Sequence, residues 1–118
     1  MASLNKVMVI GNIGNDPEMR FTPSGKPMTS FSIATNEKFG DNDHTEWFSV
    51  VAWNKLAETC NQYLSKGQQV FVEGRLQTRS WEGDDGVKHY KTEVIANKVL
   101  FLGQRKQEET EDTGEDLF

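Results

Sequence analysis

Residues 46–76 read EWFSVVAWNKLAETCNQYLSKGQQVFVEGRL, and the hydrophobic period changes twice within them. From Glu46 to Trp53 the period is two. Trp47, Val51 and Trp53 fall on one parity and Phe48, Val50 and Ala52 on the other, as in a β-strand. From Asn54 to Lys66 the pattern becomes helical: Leu56, Ala57, Cys60, Tyr63 and Leu64 fall on one face, with Asn54 as the expected N-cap and Gly67 as the expected stop. From Gln68 to Trp81 alternation returns. Val70, Val72, Gly74 and Leu76 define an inward face, and Phe71, Glu73, Arg75, Gln77, Arg79 and Trp81 define the outward one.

Outward from this strand–helix–strand unit, residues 4–13 form a strand apolar on both sides, with Val7 and Val9 opposite Met8 and Ile10. Gly11 and Gly14 are expected to let this strand bend. Asp16-Pro17 and Pro23-Ser24-Gly25 read as turns. Thr29, Phe31, Ile33 and Thr35 alternate with Ser30, Ser32 and Ala34 in a half-buried strand. Residues 36–45 are polar and read as a loop with Phe39 alone in it; Glu82 to Lys88 reads as a hairpin loop, and 89–102 as a final strand. Five strands with one helix between the third and fourth give an all-β fold, the five-stranded Greek-key barrel called the OB-fold.

The 118 residues carry 13 basic and 18 acidic groups, a net charge of −5. The charge is uneven: residues 1–102 hold 11 basic and 12 acidic groups, whereas 103–118 hold Arg105 and Lys106 against six acids. The second segment has too little apolar surface to offset the entropy of ordering and is expected to be a disordered acidic tail. The longest aliphatic run, Val7 to Ile10, is far short of a membrane span, and Met1 to Lys6 lacks the basic flank of a signal peptide. With one cysteine, Cys60, an internal disulfide or multi-thiolate metal site is excluded, and a cytoplasmic setting is expected. Cys60 falls on the apolar helix face as a packed thiol, and His44 and His89 lie in or beside loops as surface residues. No phosphate-binding loop, dinucleotide fingerprint or catalytic grouping is present, so no enzyme activity, metal or cofactor is expected.

An extended single strand of nucleic acid offers flat bases and a charged backbone, and is held without sequence preference by aromatic platforms beside a cationic track. Trp81, with Arg75 and Arg79 on the same strand face, supplies both, and Lys38 beside Phe39 and Lys55 beside Trp53 repeat the pairing. Trp47 and Trp53 share their parity with Val51, so that side is either the core or an exposed platform. Arg75 and Arg79 can alternatively pair with Glu73 or Glu82. The segment Glu115-Asp116-Leu117-Phe118 places an aromatic and a carboxylate after acids, a pattern suited to a pocket with an apolar slot and a basic rim.

With these residues in order, the chain resembles the bacterial single-stranded DNA-binding protein family across residues 4–102. The resemblance rests on Asn5-Lys6-Val7, Gly11-Asn12-Ile13-Gly14, Asp16-Pro17-Glu18, Ala34-Thr35-Asn36-Glu37, Thr45-Glu46-Trp47, Lys55-Leu56-Ala57-Glu58, Tyr63-Leu64-Ser65-Lys66-Gly67, Val72-Glu73-Gly74-Arg75-Leu76, Trp81 and Lys91-Thr92-Glu93-Val94. It implies an OB-fold subunit of a homotetramer that binds single-stranded DNA during replication, recombination and repair, nucleoid-associated in the cytoplasm. It implies stacking on Phe39, Trp47, Trp53 and Trp81, phosphate contacts from Lys55, Lys66, Arg75 and Arg79, and docking of replication and repair proteins on Glu115, Asp116, Leu117 and Phe118. The chain departs from the family pattern in having Phe39 for a common Trp, Trp53 for a common Phe, and Leu117 for a proline. Ser49 and Gln77 stand where basic residues are common. An OB-fold assembly module without DNA affinity, or one that binds RNA or sugar, is the competing class.

Overall fold

The computed structural model describes residues 1–102. Six strands and one helix follow in the order β1 (Val7–Ile13), β2 (Glu18–Phe21), β3 (Pro27–Phe39), β4 (Asn42–Trp53), α1 (Asn54–Tyr63), β5 (Gln69–Glu82) and β6 (Lys88–Phe101). The strands lie in the order β1-β5-β6-β4-β3-β2, and pairing of β1 with β3 at Asn12↔Ala34 and Ile13↔Ile33 closes the five long strands into a barrel. All pairings are antiparallel except β4–β6, where Val50 meets Val94 and Val51 meets Ile95. The expected OB-fold barrel is therefore present, with its helix between β4 and β5.

The core is aliphatic but for Phe31. Ile13, Phe31, Ile33, Val50, Val70, Val72 and Val94 fill the barrel, and Ala57, Cys60 and Leu64 of the helix region are buried with them. The Thr29 hydroxyl is fully buried and donates to the Ala57 carbonyl at 2.7 Å, which ties α1 to β3 without leaving a polar group unpaired. Burial pushes the Cys60 thiol up to about 11, because the thiolate has no solvation there. Cys60 is thus expected to resist thiol reagents at pH 8 in the native state and to react at the ordinary rate of a free thiol in denaturant. Fast native-state labelling would contradict its placement. Because the folded value lies above the unfolded one, the stabilising preference for the neutral thiol is fully present below pH 9 and is lost as pH rises towards 11.

Three local expectations are corrected. Residues 36–45 are not an irregular loop: β3 and β4 stay paired from Met28↔Trp53 out to Phe39↔Asn42, making a two-stranded arm around Gly40 and Asp41. The arm leaves the core behind, so its residues have no buried side to alternate towards, and cross-strand polar contacts such as Thr45 Oγ1 to Asn36 Oδ1 at 2.7 Å hold it instead. Asn54 is not the helix cap; Trp53 precedes the helix with no side-chain cap bond, and Asn54 adopts a left-handed φ of 58° that asparagine tolerates better than most residues. The helix ends at Tyr63, and Gly67 instead uses its φ of 93° to bring its amide to the Ile13 carbonyl at 2.7 Å. Gly11 and Gly14 are in addition close-approach positions. A Cβ on Gly11 would lie 2.4 Å from the Ala34 oxygen, and one on Gly14 would lie 2.3 Å from the Trp47 ring.

Candidate nucleic-acid interface

Alternation along β4 turns Phe48, Val50 and Ala52 towards the barrel interior and Trp47, Ser49, Val51 and Trp53 to its outside. Trp47 lies outside the core: its side chain is 58 % exposed, while Trp53 is half-buried. The two indoles stand six residues apart, roughly 20 Å along one strand face. Between them the neighbouring strand offers Ser30, Ser32 and Ala34 in register with Val51, Ser49 and Trp47. These small side chains leave a low floor between two raised rings. The Trp47 ring tip occupies the space over Gly14 at the end of β1, which braces an otherwise exposed side chain.

The second aromatic group lies on the hairpin of β5 and β6, which projects past the barrel with both of its faces exposed from Arg75 to Glu82. Arg75, Gln77, Arg79 and Trp81 share one face there, opposite Ile95, Glu93, Lys91 and His89 of β6. The Arg79 guanidinium sits 5.1 Å from the Trp81 ring centroid and 3.3–3.4 Å from the Glu93 carboxylate. Arg75 donates to Gln77 Oε1 at 2.9 Å. The alternative of ion pairs with Glu73 or Glu82 is not what the fold adopts: Glu73 pairs with Lys6 at 3.2 Å, and Arg79 reaches across the hairpin to Glu93. Leu76 shares the face of buried Val72, yet it remains 45 % exposed because β5 is already leaving the barrel.

The remaining residues are more scattered. Phe39 is exposed at the tip of the β3–β4 arm, but register puts it on the face opposite Trp47, where it borders a groove with Met8, Ile10, His44 and Phe48. Lys38 lies on the other face of the arm, 3.8 Å from Asp43. Lys55 is exposed at the start of α1, two residues after Trp53, and Lys66 is exposed in the turn before β5, its amide held by Asp16 Oδ1 at 2.9 Å. Among the described residues Lys55, Lys66 and Arg75 form no ion pair, so their charge is available to a polyanion. Glu115, Asp116, Leu117 and Phe118, with the whole acidic segment 103–118, lie outside the described residues.

Arg20 is a residue that sequence reasoning missed. β2 aligns Arg20 with Met28 of β3, which aligns with Trp53 of β4, so a guanidinium, a thioether and an indole cross the outer face in one row. The signal was present in Glu18-Met19-Arg20-Phe21, but a four-residue edge strand with little burial shows no alternation.

Among the described residues no group of three or more His, Cys, Asp or Glu side chains is arranged to hold a metal ion, and no helix is long and apolar enough to cross a membrane. Comparison with known proteins identifies the family and its fold. Residues 4–102 match the profile of the Single-strand binding protein family. The Single-stranded DNA-binding protein 1 of Chlorobaculum tepidum is 51 % identical over 86 % of this chain and 67 % of its own length. The Single-stranded DNA-binding protein of Neisseria meningitidis serogroup A is 42 % identical over 89 % of this chain and 63 % of its own length, so the chain spans about two thirds of these curated relatives. Those relatives are named for binding DNA, not for catalysis. Among solved structures, the Plasmodium falciparum SSB in complex with single-stranded DNA superposes with a TM-score of 0.80 at 33 % identity, covering 87 % of this chain and 98 % of that one. With the profile matched from β1 through β6 and relatives this similar, the chain belongs to the single-strand binding protein family.

Proposed function

We propose that residues 1–102 bind single-stranded DNA without sequence preference, by stacking bases on Trp47, Trp53 and Trp81 and setting phosphates against Arg20, Lys55, Lys66, Arg75 and Arg79. The observation that carries this reading is Trp47 and Trp53 on the outside of a barrel whose interior is already filled by smaller apolar side chains. An exposed indole contributes little to folding, whereas a base stacked on it contributes about 1–3 kcal/mol to binding. Phe39 and Lys38 join the contact where the strand passes around the tip of the β3–β4 arm. Ser49 and Gln77 add no charge to the track, so the affinity falls gently with salt, each neutralised phosphate contributing a slope of about −0.7. The test is a gel shift at low salt with oligo-dT, competed by oligo-U, by duplex of equal length and by oligosaccharide. Oligo-dT is expected to win over all three; equal competition by duplex or sugar would reject the reading.

The reading extends to assembly. Met8 and Ile10 are 64 % and 53 % exposed on β1, and Ile10 continues through Phe71 to Leu100 as an apolar row across three strands. Residues Val7 to Gly11 pair with β5 alone, so the other edge of that segment is open. Both features favour coverage by further copies of the chain, and a homotetramer is the assembly proposed. Ile10→Asp is expected to lower the mass in light scattering at micromolar concentration; an unchanged mass would place Ile10 outside any subunit contact. In the cell this protein would coat exposed strands at the nucleoid, in the cytoplasm, during replication, recombination and repair. Its segment 103–118 would recruit partner enzymes through Glu115, Asp116, Leu117 and Phe118.

A further inference from the structure

The indole of Trp81 is not a free platform. His89 lies directly opposite it in the antiparallel register of β5 and β6, with ring centroids 5.6 Å apart and planes inclined by 24°. The imidazole is itself seated. Its Nε2 is 3.7 Å from Asp85 Oδ1 in the β5–β6 turn, and Asp85 Oδ1 also accepts from the Val87 amide at 2.9 Å. It rests in the space that a side chain on Gly83 would fill, since a Cβ there would come within 2.8 Å of His89 Nε2.

We propose that His89 is a positioning residue for single-stranded DNA, holding the Trp81 ring in place by stacking on it. The inference rests on the DNA-binding reading above and deepens it at one ring. With His89 stacked on it and the Arg79 guanidinium 5.1 Å from its centroid, the Trp81 ring is set at one tilt before the strand arrives. That preorganisation lowers the ordering cost on binding. The charged groups around His89 are Asp84 and Asp85 in the turn, Arg79 and Glu82 on β5, and Lys88 and Lys91 on β6. Arg79 and Lys91 share the face of His89, while Glu82 and Lys88 form the next pair on the opposite parity.

The test uses the full chain, labelled oligo-dT and anisotropy, with His89→Ala, His89→Phe and Gly83→Ala. His89→Ala is expected to weaken binding about fivefold. His89→Phe keeps the stack, so it should match the parent. Gly83→Ala crowds the imidazole without removing either ring of the stack, and should behave as His89→Ala. A readout without DNA accompanies it: with Trp47→Phe and Trp53→Phe in place, iodide should quench the remaining Trp81 emission more in His89→Ala than in the parent or in His89→Phe, because the uncovered ring is open to the quencher. If the parent binds oligo-dT and His89→Ala binds equally well, or if His89→Phe binds as weakly as His89→Ala, the proposal is overturned. Failure of the parent to bind would instead overturn the DNA-binding reading, and the quenching measurement would still report on the stack.

Discussion

Replacing Trp47 and Trp53 together by alanine is expected to weaken oligo-dT binding by roughly 30-fold to 10⁴-fold while leaving a folded barrel. The figure follows from two stacks at about 1–3 kcal/mol each, converted at tenfold per 1.4 kcal/mol. The fold should survive because both rings stand outside the core: Trp47 is 58 % exposed, and the interior of β4 is made by Val50 and Ala52. Some packing is lost where the Trp47 ring covers Gly14, so a small decrease in melting midpoint accompanies the variant. Anisotropy of a labelled oligonucleotide separates the two effects. Replacement by phenylalanine at both positions should restore most of the affinity, since a flat ring is retained. A loss below threefold in the double alanine variant would mean that these rings do not hold bases.

Gly74→Ala is expected to be the most disruptive small substitution in the barrel. Gly74 lies where β5 is paired on both sides, with Val7 of β1 and Ala96 of β6, next to the register shift that follows Glu73. A Cβ at Gly74 would fall 2.1 Å from the Ile95 carbonyl oxygen, 2.8 Å from its carbon and 2.9 Å from the Ala96 Cα. All three are backbone atoms and cannot rotate aside, so β6 must separate from β5 near the point where the irregular pairing lets the barrel curve. A cost on the order of 3 kcal/mol follows, which lowers the melting midpoint of a domain this size by roughly 12–24 °C. A midpoint within 3 °C of the parent would contradict the pairing of β5 with β6.

Much of the fold was legible because burial imposes a period. Phe48, Val50 and Ala52, then Ala57 and Cys60, then Val70 and Val72 all face one core, so their spacing revealed strand, helix and strand in turn. Where an element has no core beneath it the period vanishes. The β3–β4 arm and β2 were missed for this reason, and Arg20 was missed with β2. The same alternation put Trp81, Arg75 and Arg79 on one face without reference to tertiary structure. It could not decide between core and platform for Trp47, because the outer side of β4 also carries buried Val51. Nor could it place Phe39, whose side of the arm depends on a strand continuing through polar residues. The stack of Trp81 on His89 depends on hairpin register across residues 82–88, which composition does not fix.

The most direct measurement is a titration of the parent protein's tryptophan emission with oligo-dT at low salt, beside a duplex of the same length, with occupancy followed independently by anisotropy. Bases lying on Trp47, Trp53 and Trp81 should quench the emission in proportion to occupancy up to saturation, and the duplex should leave it nearly unchanged. Saturating occupancy by oligo-dT with undiminished emission would contradict the account, because the strand would then be held without contact to the rings.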